Sequence, residues 1–154
     1  MVTVPQYKNS VLQAAEMLSK AFRALARKIH REMKLPINHD EFTILETIIH
    51  AQGIIQFDIA KEIFMKRSYV CKFLSTLEEK GYIYRENAVR GKRQIISRNY
   101  TTDLGVKIYN EIKEIYDKEA GELFCDYEVD ELQKAAEILF KQCKKVISVH
   151  KLKI

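Results

Sequence analysis

Apolar residues recur with helical spacing at both ends of the chain and change period in the middle. Over residues 7–33, Val11, Ala15, Leu18, Phe22, Leu25 and Ile29 fall at alternating intervals of four and three, the stripe of one long helix. A second stripe, Ala14, Met17, Ala21 and Ala24, runs beside it. That is more apolar surface than one side of a subunit covers, so part of this helix is expected to pack on another subunit. It should end near Lys34, because Pro36 disfavours helical geometry in the residue before it. Asn38, followed three residues later by Glu41, predicts a reciprocal cap, after which Phe42, Leu45, Ile48 and Ile49 line a second helix that Gly53 stops.

Residues 56–64 read as a short helix with Ile59, Ala60 and Ile63 inward, then a polar turn, Met65-Lys66-Arg67, then a helix over 68–80. In the latter, Val70, Phe73, Leu74 and Leu77 share a face, which leaves Ser68, Tyr69, Cys71, Lys72 and Thr76 outside it before Gly81 terminates the helix. The period then changes. Residues 82–85 and 94–100 are rich in β-branched and aromatic side chains, and 86–93 between them, with Gly91, predict a hairpin with a basic tip. Thr102 can cap a helix carrying Leu104, Ile108, Ile112, Ile115 and Tyr116 to about Cys125. A last helix opens on Glu128, Asp130 and Glu131 and repeats Leu132, Ala136, Leu139, Cys143 and Val146 at heptad spacing.

Composition adds limits. In 154 residues there are 5 Gly and 2 Pro against 47% apolar side chains, which favours one mostly helical domain over a disordered or many-turned β chain. No apolar run approaches the ~18 residues of a membrane span, and residues 1–10 lack the order of a secretory signal, so a cytoplasmic protein is expected. Cys71, Cys125 and Cys143 are odd in number and widely spaced, which predicts free thiols, the last two in core or dimer packing. His30, His39, His50 and His150 have no paired metal-ligand spacing, although His30 and His39 can approach around Pro36; no metal site is expected.

The formal charge of +5 is unevenly placed. Residues 61–98 hold 10 basic and 4 acidic side chains, whereas 103–137 hold 4 basic and 11 acidic. The first segment is therefore a candidate face for a polyanion.

Helix, short helix, turn, helix and basic hairpin, in that order, are the parts of a winged helix-turn-helix. The second helix of the pair must be polar on one side to enter a major groove about 12 Å wide. Ser68, Tyr69, Cys71 and Lys72 fit that side, Arg67 fits a phosphate, and Ala60 fits the crossing of the pair, where a larger side chain would tilt the reading helix. Arg90, Lys92 and Arg93 at the hairpin tip suit phosphates or a minor groove.

With these parts in place, the chain resembles the MarR family of bacterial transcription regulators. Gln56-Phe57-Asp58-Ile59-Ala60 looks like the family's first short helix, and residues 70–85, from Val70 to Arg85, look like its recognition helix and first wing strand. Thr101-Thr102-Asp103-Leu104-Gly105 is similar to its Leu-Thr-x-x-Gly step out of the wing, with Thr101 in place of Leu. Family wings carry Asp-x-Arg, whereas Asn87-Ala88-Val89-Arg90-Gly91-Lys92-Arg93 offers no Asp, so all three basic residues stay candidates. The stretch from wing tip to Thr102 is about two residues longer than usual, which predicts a bulged or shifted second strand.

The resemblance implies a mainly α (α+β) fold: a winged helix-turn-helix lobe over 38–101 with a two-stranded wing, and dimerisation helices over 1–34 and 103–154, all in a single domain spanning 1–154. It implies a homodimer that binds a palindromic double-stranded DNA operator, most simply as a repressor. It also implies no obligatory cofactor, and small aromatic acids held between dimer helices and lobe as the kind of ligand to expect. Tyr82, Tyr84 and Tyr100 fit either such a phenol-lined pocket or cross-strand pairs in the hairpin. Two other readings compete: a helical dimeric adaptor for an acidic protein, and a redox-responsive regulator using Cys71, which sits near Lys72 and Arg67. An enzyme is not expected, since the chain has no Gly-rich phosphate loop, nucleophile elbow or metal cluster.

Overall fold

In the computed structural model, which describes residues 10–153, α1 (Val11–Glu32) opens on Ser10, whose Oγ accepts from the Gln13 backbone N–H at 3.1 Å. Residues 7–9 of the predicted helix lie outside the described residues. The helix stops two residues before Lys34, which takes a left-handed φ of 50° and turns the chain toward Pro36. α2 (His39–His50) carries the predicted capping box: Asn38 Oδ1 accepts from the Glu41 N–H at 2.8 Å, and Glu41 Oε2 accepts from the Asn38 N–H at 3.0 Å. Its buried face includes Ile44 beside the expected Phe42, Leu45 and Ile48, while Ile49 is only half-buried.

After α2 comes a strand that periodicity did not reveal, β1 (Ile54–Ile55). It is followed by α3 (Gln56–Glu62) and α4 (Arg67–Glu79), the latter starting one residue earlier than predicted. Ala60 is fully buried in the core cluster, as its expected place at the crossing requires. β2 (Ile83–Arg90) and β3 (Gln94–Thr101) pair one to one from Ile83↔Thr101 to Arg90↔Gln94. Two expectations are corrected here. The strand reaches Arg90, so residues 86–89 are ladder rather than loop, and the extra length of the second arm is taken up by continuous pairing without a bulge. β1 adds to the other edge of β3 through Ile54↔Asn99, making a three-stranded antiparallel sheet in the order β1-β3-β2.

α5 (Asp103–Leu123) follows β3 with Thr102 alone between them, and α6 (Val129–Val149) returns. Thr102 joins three elements: its Oγ1 accepts from the Gly105 N–H and donates to the Gly81 carbonyl, and its N–H donates to the Tyr82 carbonyl. Gly105 explains its own place in the motif, because a Cβ there would fall inside the Tyr82 carbonyl. Leu104, expected on the apolar stripe, points outward at 51% exposure, and Tyr109 takes a core place instead.

One core is formed by α2, α3, α4 and the start of α5, with Leu45, Ile48, Ile59, Leu74, Leu77 and Ile112 fully buried. The long ends behave differently. α6 buries no residue, and α1 buries only Ala26, Ile29 and His30. Cys125 and Cys143 are exposed, so neither is in the core of this chain. No described helix is long and apolar enough to cross a membrane.

Glu41 is 4% exposed and is a charge buried at the start of α2. Lys80, just past α4, donates to it at 3.0 Å and to the Pro36 carbonyl at 3.0 Å. Lys80→Ala leaves that carboxylate without its counter-charge and is expected to cost about 1–3 kcal/mol, read as a shift of the urea midpoint at unchanged m-value; an unaltered midpoint would deny the pair a structural role. Gly105→Ala is expected to cost about 1–3 kcal/mol through overpacking against Tyr82, despite the better helix propensity of Ala, again read by urea unfolding.

Candidate nucleic-acid interface

α4 is held by one side and leaves the other open. Val70, Leu74 and Leu77 are buried and Phe73 is half-buried. Opposite them, at helical spacing, lie Ser68, Lys72, Ser75 and Glu79, with Tyr69 and Thr76 on one flank and Cys71 on the other. Ser68, Tyr69, Cys71 and Lys72 are all exposed, as the outward side of a reading helix requires. Ser75 was missed among the sequence candidates, although its spacing of seven from Ser68 and three from Lys72 marks the same strip.

Arg67 is the first residue of α4, and α3 fixes it in two ways. Its guanidinium carbon stands 4.6 Å from the centre of the Phe57 ring, and its carbonyl accepts from Gln56 Nε2 at 3.1 Å. Lys61 Nζ lies 4.9 Å from the same ring. Two cations sharing one aromatic ring are positioned without being neutralised.

The wing tip is the three-residue turn 91–93 between Arg90 and Gln94, made possible by Gly91 at φ 65°. Arg90, Lys92 and Arg93 are exposed there. Below the tip, Val89 and Ile95 face each other across the ribbon, each 73% exposed. At its base the ribbon is tied to α4, since Arg85 donates from Nε to Glu78 Oε2 at 2.8 Å and from Nη2 to the same oxygen. That hydrogen bond raises the Arg85 pKa above its ordinary value, with burial opposing it. Arg98 donates to the Gly53 carbonyl at 3.1 Å, and Asn99, 1% exposed, donates to the Ile54 carbonyl at 2.8 Å, which together hold β1 to the wing.

The basic segment therefore divides by use. Lys80, Arg85 and Arg98 bond within the fold, whereas Lys61, Lys66, Arg67, Lys72, Arg90, Lys92 and Arg93 form no ion pair among the described residues. All seven are exposed and belong to α3, α4, the turn between them or the wing tip.

Tyr84 and Tyr100 stack as a cross-strand pair with ring centres 5.3 Å apart. Tyr82 packs against the core. His30 and His39 do approach around the Pro36 turn, with ring centres 6.4 Å apart. Among the described residues no group of three or more His, Cys, Asp or Glu is placed to hold a metal ion.

Residues 37–95 match the model of the MarR family. Among solved structures, the transcriptional regulator SlyA is 25% identical, with a TM-score of 0.73 over 89% of this chain and 94% of that one. A MarR protein from Peptoclostridium difficile DA00132 is 22% identical, with a TM-score of 0.76 over 99% of this chain and 96% of the other. MepR of S. aureus, solved as a DNA complex, is 20% identical, with a TM-score of 0.70 over 90% and 98% of the two chains. No curated protein sequence matches the chain.

The wing's attachment is testable by itself. Glu78→Gln is expected to cost no more than about 1 kcal/mol, since the pair with Arg85 is partly open to water. A double-mutant cycle with Arg85→Gln should return a coupling of that size, and strictly additive effects would show the contact to be idle.

Proposed function

We propose that this chain, whose residues 37–95 match the MarR family and whose fold is that of solved structures similar to it, is a MarR-family transcriptional regulator that binds a palindromic duplex operator as a homodimer and represses by blocking promoter access. The observation that carries this reading is the set of seven exposed cations on α3, α4, the turn between them and the wing tip that have no ion-pair partner among the described residues. Against these seven stand the exposed acids Asp58, Glu62, Glu79 and Glu86 of the same elements, which leaves an excess of positive charge that suits a regular polyanion.

Ser68, Tyr69, Cys71 and Lys72 face the major groove in this reading. Arg67, presented by Phe57, takes a phosphate. Arg90, Lys92 and Arg93 take the flanking backbone or the minor groove, and the ribbon's pairing through to Arg90 gives them a stiff support.

The second copy is proposed for the surfaces that this chain leaves bare. Val11, Leu12, Met17, Leu18 and Phe22 of α1 and Ile138, Leu139, Phe140 and Val146 of α6 are between 39% and 75% exposed. Apolar exposure of this extent on two long helices is the mark of an interface. Two lobes on one rigid dimer also fit half-sites about 10 base pairs apart.

Selecting duplexes from random sequence with the purified full-length chain tests the reading directly, and recovery of one inverted repeat is the expected result. The logarithm of the affinity for that repeat should fall linearly with log salt, with a slope near −0.9 per phosphate contacted. Lys72→Ala is expected to lose about 1–3 kcal/mol and relax one position of the repeat if it reads a base; equal binding would remove it from the interface. Deleting residues 1–33 should abolish the dimer in sedimentation, and a stable monodisperse dimer after that deletion would contradict the proposed interface.

A further inference from the structure

Two histidines from two helices share the phenol of a third. His30 of α1 is buried, and its Nδ1 lies 2.5 Å from the Ile37 carbonyl oxygen. A carbonyl only accepts, so Nδ1 carries the hydrogen and Nε2 of the neutral ring presents a lone pair. Nε2 is 2.6 Å from the hydroxyl of Tyr116 in α5, which therefore donates to it. The same hydroxyl oxygen is 3.0 Å from Nδ1 of His39, the first residue of α2, and accepts from it. With both imidazoles neutral, every donor points one way: His39 to Tyr116, Tyr116 to His30, His30 to the Ile37 carbonyl. Burial, aided by the Glu46 charge, pushes the Tyr116 pKa up to about 12, so the phenol keeps its hydrogen at any pH near neutrality. Phe22 and Phe42 pack edge-on at its sides, 5.3 Å from His39 and 5.0 Å from Tyr116 by ring centres.

We propose that this relay is a proton-sensitive joint between α1, α5 and the DNA-binding lobe: it holds while at most one imidazole is charged, and a second proton opens it and weakens DNA binding. Counting hydrogens gives the reason. One proton added at His39 Nε2 leaves all three hydrogen bonds in place. The next must go to His30 Nε2, which already accepts the Tyr116 hydrogen. The phenol oxygen then faces two N–H donors, and its own hydrogen loses its acceptor. Two imidazolium rings would also stand 6.4 Å apart in a largely desolvated site.

The surrounding charges do not favour a doubly charged cluster. Arg23, Arg27 and Arg31 face it from α1, Asp40, Glu41 and Glu46 from α2, Lys80 from the end of α4, and Lys113 and Asp117 from α5. Arg23 pairs with Asp40, Lys80 with Glu41 and Lys113 with Asp117. Glu46 accepts from the Tyr109 hydroxyl at 3.2 Å. Burial lowers the His39 pKa below its ordinary 6.5, with Asp40 opposing and Arg23 and His30 adding to the effect. A histidine depressed in this way contributes stability that is full above about 6.5 and is lost as pH falls toward its folded value.

The effect on DNA rests on the regulator reading, whereas the effect on stability does not. The sign separates the joint from general electrostatics, because added positive charge alone would tighten DNA binding in acid. The test compares the full-length chain, His39→Gln and Tyr116→Phe at pH 7.5 and 5.5 and constant ionic strength. It reads Tm and affinity for the duplex recovered by selection, or for a mixed-sequence duplex if none is recovered. The unaltered chain should lose about tenfold in affinity, the equivalent of one pKa unit, together with a fall in Tm. Both pH effects should shrink in His39→Gln, which has no second imidazole to charge, and in Tyr116→Phe, where the two rings no longer compete for one oxygen. Affinity that rises or stays flat in acid for the unaltered chain, or an equal loss in all three proteins, overturns the coupling to DNA. If no duplex binds at pH 7.5 the regulator reading fails instead, and Tm alone decides the joint: a smaller fall in both variants supports it, and equal falls overturn it.

Discussion

The turn at residues 36–38 is where the architecture is tied together. Three successive residues face three helices: the Pro36 carbonyl accepts from Lys80 at the end of α4, the Ile37 carbonyl from His30 of α1, and the Asn38 N–H donates to Glu41 of α2. At the centre lies the Glu41 carboxylate, whose Oε2 both caps α2 and receives Lys80. A buried carboxylate is costly unless its lone pairs are filled. Filling them here fixes the end of α4 relative to the start of α2, so the orientation of α4 is set at its far end by this knot and at its near end by Phe57 and Gln56.

This arrangement separates structural cations from presented ones. Lys80, Arg85 and Arg98 look no different in sequence from Lys72, Arg90 and Arg93, yet the first three each find an acceptor within the fold. The ten basic residues of 61–98 thus overstate the number of cations a partner meets. What a partner meets is narrower and better placed, being gathered on the polar side of α4, the α3 face beside it and the end of one stiff ribbon.

Local chemistry made much of this legible beforehand. Asn38 with Glu41, Thr102 with Gly105, and Gly81 each act within a few residues, and each forms the cap or stop its spacing implies. The face of α4 was legible because Val70, Leu74 and Leu77 repeat at helical intervals. What stayed hidden depends on distant partners. β1 is two residues long, and its pairing with Asn99 and Arg98 comes from the other half of the lobe. The strand over 86–89 mixes Glu, Asn, Ala and Val without clean alternation, and only its pairing with 95–98 defines it. Tyr116 gave no sign of meeting His30 and His39, which lie 86 and 77 residues away.

Thr102 alone separates β3 from α5, and its three hydrogen bonds leave no slack at the junction. The ribbon and the helix are therefore one bent lever with its fulcrum at the base of the wing. Eight residues of strand make an arm of about 26 Å. A tilt of α5 by about ten degrees would carry the tip through about 4–5 Å on that arm. Small rearrangements among the long helices thus translate into a displacement of the tip longer than a hydrogen bond.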